Sequence, residues 1–373
     1  MPDLAALHPV SRRHLEALSD DIGILQHATG RMADPAHGYC TDDVARALMV
    51  DVDHAAELGW AAIGPSASRA VRFLEAAFDA ETGRFRNLRD AGGAWHSGLG
   101  SEDAHGRAMH GLGQLIAVAP DAPLRSSARA LFRRGLPGTL GLMYLRPQAA
   151  ALLGCEAAIR GGLEGESQAT YRDLAATLWR AVTSAPNHGA WPWPEPILTY
   201  ENGLIPQALL VSGRRLGWSH LVRHGRYLLD WLVEVETATE GHLTVVGNAG
   251  WWPRDAPRAR YDQQPIEATA LLLAAEAAYA ITADEGYRTT MERCYAWFLG
   301  SNDTGEAIAI PGRGACHDGL SASGVNANQG AESTLMWLIA LERIRRLRGE
   351  SRAALGPTLQ ADVPLRPSMQ VPA

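Results

Sequence analysis

Six stretches of the chain are apolar or small around most of a helical circumference, the mark of buried helices. They are CTDDVARALMV from Cys40, SEDAHGRAMHGLGQLIAVA from Ser101, LRPQAAALLGCEAAI from Leu145, YENGLIPQALLVSG from Tyr200, QQPIEATALLLAAEAAYAI from Gln263 and NQGAESTLMWLIALERI from Asn328. Each opens on acidic, amide or proline residues, and Pro147 and Pro265 sit where a first helical turn tolerates proline. Between them lie stretches with a two-sided pattern: SRRHLEALSDDIGILQHA, SASRAVRFLEAAFDA, RSSARALFRRGL, SQATYRDLAATLWRAV, SHLVRHGRYLLDWLVEVE and DEGYRTTMERCYAWFLG. One of these precedes each buried stretch. The markers Asp42, Glu102, Arg146, Glu201, Gln264 and Gln329 recur every 44 to 65 residues, a spacing that fits a repeated pair of one outer and one inner helix. Six such pairs predict an all-α toroid, its inner helices parallel and their N-termini gathered at one end.

The motifs GYCTDDVARAL, EDAHGRA, YDQQPIEA and NANQGAEST sit at four of those starts. With the six-fold repeat they resemble the six-hairpin glycosidase superfamily, and within it a bacterial family found beside glycosyltransferases and glycoside phosphorylases. The resemblance implies an (α/α)6 barrel over residues 1–348, a carbohydrate site in the barrel mouth, and functional association with a glycosyltransferase. Residues 349–373, rich in Pro, Ala and Ser without helical period, are expected to be a disordered tail.

Composition narrows the classes. The 373 residues are 46% hydrophobic and 20% charged, with a net charge of −7, which argues against a nucleic-acid partner. No apolar run is read as approaching the roughly 18 residues of a membrane span. The N-terminus lacks a basic flank followed by an apolar core, so a cytoplasmic location is expected. Four scattered cysteines fit neither a disulfide framework nor a zinc knuckle. His220 and His224 stand four apart but on an outer stretch, so no metal site is expected, and no cofactor motif appears. No G-x-S-x-G supports a serine hydrolase.

The ring brings sequence-distant acids to one funnel: Asp42, Asp43, Glu102, Asp103, Glu201, Asp262 and Glu332. Acids in a first helical turn also sit well against the helix dipole, and Thr41 offers a cap. Glycosidic chemistry needs one protonated acid and one base or nucleophile, and crowded like charges raise some carboxyl pKa values. Asp43, Glu102, Asp103, Glu201 and Asp262 are therefore the catalytic candidates. Asp42 and Asp43 lie about 100° apart on a helix; Asp43, further in, is the expected functional one. Asp262 falls above the helix that Pro265 should start, because Gln264 is pushed out of helical geometry, and Glu267 reads as a capping partner. Substrate-binding candidates are Tyr39, His105, Arg107, Tyr200, Asn202 and Gln263, the helix-start residue Gln264, and the amides Asn326, Asn328 and Gln329. The loop indoles Trp191, Trp193, Trp251 and Trp252 offer flat faces and N–H groups suited to sugars.

The expected activity is hydrolysis of an oligosaccharide, with an inverting mechanism favoured by the width of the funnel. One alternative is a sugar epimerase or isomerase using paired histidines, with His105, His110 and His317 as candidates. Another is a non-catalytic glycan-binding subunit.

Overall fold

The structure, a computed structural model, describes residues 7–96, 98–184, 189 and 191–360. Its helices are α1 (Arg13–Ala17), α2 (Thr41–Leu58), α3 (Trp60–Ala77), α4 (Glu102–Val118), α5 (Ala122–Thr139), α6 (Leu145–Arg160), α7 (Glu166–Ser184), α8 (Leu204–Leu216), α9 (Ser219–Val235), α10 (Pro265–Thr282), α11 (Glu285–Phe298) and α12 (Ala331–Gln360). Strands among the described residues form only two-stranded antiparallel ribbons in the loops.

The even-numbered helices form a closed inner ring: α2 packs on α4, α4 on α6, and so on to α12, which returns to α2. Helices α3, α5, α7, α9 and α11 flank it, each against the inner helix that precedes it. The fold is an (α/α)6 barrel. Acids from the starts of α2 and α12 share one cavity with residues just before α10. All six inner helices line another cavity of about 470 Å³, from Met49 and His110 to Leu153, Gln207, Leu273 and Arg343, each of these lying C-terminal to its helix's first turn. The inner helices therefore run parallel. Short turns follow α2, α4, α6, α8 and α10, whereas longer loops such as 78–101, 236–264 and 299–330 precede an inner helix, so the long loops collect at the mouth.

Closure depends on close backbone approach. A Cβ on Gly113 of α4 would lie 2.1 Å from the Gly154 carbonyl oxygen of α6, and one on Gly154 would lie 2.4 Å from that of Met109. Backbone cannot yield as a side chain does, so Gly113→Ala should cost about 3 kcal/mol, the upper end of overpacking. Gly349→Ala, in α12 with nothing near its missing Cβ, should instead stabilise by up to about 1 kcal/mol through helix propensity. Urea unfolding of the two variants checks both signs.

Four expectations change. The first outer stretch, residues 11–28, is helical only over Arg13–Ala17. Asp20 accepts the N–H groups of Ile22 and Gly23 at 2.8 and 3.0 Å, a local turn that competes with helix. At the other end, α12 continues to Gln360, so 349–360 is helical rather than tail; SRAAL supplies good helix formers, and 361–373 lies outside the described residues. Helix α10 is long and apolar enough to cross a membrane, at mean hydropathy 1.2, but 61% of it is buried inside the barrel. Finally, Thr41 caps nothing: its hydroxyl donates to the Arg86 carbonyl at 2.6 Å, and α2 starts without a side-chain cap.

Candidate functional site

Two buried arginines organise the mouth. Arg107, in the second turn of α4, places Nη1 3.2 Å from Asp42 Oδ2 and 3.7 Å from Asp103 Oδ2, and donates through Nη2 to Glu201 Oε2 at 2.5 Å. Arg46 of α2 donates through Nη1 to Asp43 Oδ1 at 3.1 Å and lies 2.9 Å from Glu332 Oε2. The Tyr200 hydroxyl donates to Asp103 at 2.6 Å. Five carboxylates thus share two guanidinium groups.

A second layer fixes the loop before α8. Buried Glu267, on α10, accepts the backbone N–H of Glu201 at 2.6 Å and the side-chain amide of Asn202 at 3.0 Å. It ties down the loop before α8 rather than capping its own helix. Arg146 of α6 donates to Asn202 Oδ1 at 2.9 Å and to both Glu195 oxygens at 3.0 and 2.9 Å. This framework holds Glu201 at a positive φ of 49°, which few non-glycine residues adopt.

Burial and partners separate the carboxyls. Burial pushes Asp43 up to about 7 against the pull of Arg46, with Glu332 and Asp42 adding repulsion. Burial likewise raises Asp42 despite Arg107. Glu201 is also desolvated, but Arg107 and Arg46 outweigh that cost and hold it below the usual range. One carboxyl is therefore protonated near neutrality while a neighbour is held ionised, the pairing that acid/base chemistry uses.

The cavity at this end holds about 340 Å³. Asp42, Asp43, Arg46 and Glu332 line it from α2 and α12, and Asp262, Gln264, Asp318 and Asn326 line it from the loops before α10 and α12. Asp262 is half-buried, and no ion pair or side-chain hydrogen bond holds its carboxylate among the described residues. Asp318 accepts the Ser333 hydroxyl and the Gly330 N–H, both at 2.6 Å.

Asp42 and Asp43 both line this cavity, each with its own arginine, whereas Asp103 and Glu201 do not line it and connect to Asp42 only through Arg107. Other sequence candidates lie elsewhere. Glu102 accepts the N–H groups of Met143 and Tyr144 at 2.7 and 3.1 Å, next to α6, because a one-residue step turns it about 100° from Asp103. His105 is fully buried against Phe85, facing α5. His110 lines the cavity at the opposite end, and burial lowers it to about 4. His317 is absent from the mouth lining, so the three histidines do not converge. Tyr39 is buried, its hydroxyl donating to Asp20 at 2.5 Å. Gln263 is buried beneath the loops, where it accepts the Trp297 indole N–H at 3.0 Å. Asn202 serves the Arg146 and Glu267 framework. Asn328 accepts the Gly30 N–H at 2.9 Å, and Gln329 bonds Gly30 and His14 through its backbone; both pin the N-terminal loop rather than face the cavity.

The tryptophans also divide. Trp251 sits beside Tyr200, ring centroids 6.3 Å apart. Trp191 and Trp193 are buried, their N–H groups donating to Glu195 at 2.9 and 3.2 Å, and with Trp252 they pack on Trp231 of α9. Sequence reasoning missed Asp318, Gln26 and His27 in the cavity lining. Asp318 carried a usable signal, since like Asp262 it is an acid in a loop before an inner helix.

No protein-family model matches the sequence, and no curated protein matches it significantly. Solved structures match the fold. A D-mannose isomerase superposes with a TM-score of 0.68 at 11% identity, over 89% of this chain and 94% of its own. The cellobiose 2-epimerase of Bacillus thermoamylovorans B4167 gives 0.65 at 13%, over 90% and 98%. A GH76 α-mannanase of Bacteroides thetaiotaomicron gives 0.64 at 8%, over 91% and 96%. At these identities the likeness is one of fold, the six-hairpin (α/α)6 barrel.

Proposed function

We propose that the protein is a carbohydrate-active enzyme, a glycoside hydrolase that cleaves an oligosaccharide in the barrel mouth. The observation that carries this reading is the pair of unlike carboxyls on one cavity: buried Asp43, which takes up its proton near neutrality, and Asp262, half-exposed with no cation partner among the described residues. In the proposed step the glycosidic C–O bond breaks as Asp43 delivers its proton to the leaving oxygen. The Asp262 carboxylate takes a proton from water, whose oxygen bonds to the anomeric carbon from the other face. That route inverts the anomeric centre. Sugar-processing neighbours on the same barrel, an α-mannanase among them, support the substrate class.

A second reading, epimerisation or isomerisation at C2, draws on the names of two neighbours and on His27, which lines the cavity with His37 edge-on at 4.6 Å. The mouth carboxylates outnumber this pair, and hydrolysis is preferred. The test is incubation with a panel of neutral oligosaccharides, products read by mass and by anomeric proton NMR. Cleavage with inversion, lost in both Asp43→Asn and Asp262→Asn, is the expected result. Cleavage that persists in both variants would remove these residues from the mechanism.

A further inference from the structure

Outside the ring, α9 and the loops around residues 191–196 and 251–256 enclose a cleft of about 800 Å³. It shares no lining residue with the mouth. Trp231 and Trp252, both half-buried, lie with their rings within 14° of parallel and centroids 6.0 Å apart. Trp191 closes the cleft edge-on, at 84° to Trp252 and 71° to Trp231. Glu234, Arg254 and Asp255 supply the polar rim, and Arg254 lies 3.6 Å from Asp255, leaving little net charge. The N–H groups of Trp191 and Trp193 are spent on Glu195. No acceptor is described for those of Trp231 and Trp252.

We propose that this cleft is a second carbohydrate-binding site, which takes the neutral chain of an oligosaccharide. Flat indole surface matches the C–H faces of pyranose rings, unspent indole N–H groups match their hydroxyls, and the small charge at the rim suits an uncharged chain. The volume lies within the range of small-molecule sites. A protein partner would be expected to meet a broader apolar surface, but here three polar side chains interrupt it. The proposal shares its ligand class with the proposed function but not its chemistry.

The test uses full-length Asp43→Asn protein with 15N-labelled tryptophan, titrated with cello- and manno-tetraoses. The indole N–H resonances of Trp231 and Trp252, assigned by Trp→Phe variants, should shift with sugar. Trp231→Ala should weaken tetraose binding about tenfold, the scale of a lost aromatic stacking surface, and leave turnover of any disaccharide substrate unchanged. Should Trp231→Ala not fold, the resonance shifts in the unmutated cleft still decide. Shifts without any turnover in the active protein would sustain the cleft and count against the mouth chemistry. Silent Trp231 and Trp252 resonances across the panel, or shifts produced only by apolar peptides, would overturn the cleft proposal.

Discussion

Asp43→Asn should lower turnover by about 10²- to 10⁴-fold, the usual contribution of a positioned acid, and leave the protein folded. The carboxamide keeps an oxygen for Arg46 and removes a buried group whose charged form the site disfavours. The pH dependence follows from the same shift. A carboxyl raised to about 7 in the folded protein binds its proton more tightly there than in the unfolded chain. Its contribution therefore costs stability as pH rises from the ordinary carboxyl range through 7, and that cost is fully present above 7. Asp43→Asn should thus melt no lower than the parent at pH 8. Activity of the parent should fall as pH rises through about 7, as the acid loses its proton. Calorimetry at pH 5 and 8 together with a pH–rate profile checks both; a variant of normal turnover would reduce Asp43 to a helix-start residue.

Arg107→Met should be the most damaging single change to stability. The guanidinium is buried and answers Asp42, Asp103 and Glu201 together. Without it three carboxylates crowd one funnel, and removing one partner of a buried charge cluster costs about 3–5 kcal/mol. The sign with pH is definite. The orphaned carboxylates would have raised pKa values, so the variant's deficit should be larger at pH 8 and shrink toward pH 5, where they take up protons. Urea midpoints at the two pH values test this. Equal midpoints for variant and parent would mean that Arg107 does not balance the cluster.

The ring was legible because helical period and the recurrence of polar starts survive in any sequence that buries six helices. Acids at the starts of α2, α4 and α12 were legible for the same reason. What was lost lay in orientation. On α4, EDAHGRA placed Glu102, Asp103, His105 and Arg107 together as a motif, yet steps of about 100° send Asp103 and Arg107 inward, Glu102 toward residues 143–144 and His105 against Phe85. That division could have been worked out from the spacing alone. Other features depend on contacts between distant segments. Asp20 ends the first helix by binding nearby N–H groups and brings Gln26 and His27 to the cavity. Trp231, on an outer helix, draws Trp191, Trp193 and Trp252 away from the mouth, and no local pattern announces that cluster.

The most direct measurement of the central claim is proton and carbon NMR of the reaction run in ²H₂O with the oligosaccharide panel. Hydrolysis at the Asp43–Asp262 cavity predicts new reducing ends, released first as the inverted anomer, with protium retained at C2 of every product. Deuterium entering C2 with the glycosidic bond intact would contradict it, because that exchange requires proton abstraction from carbon and places epimerase or isomerase chemistry in the mouth instead.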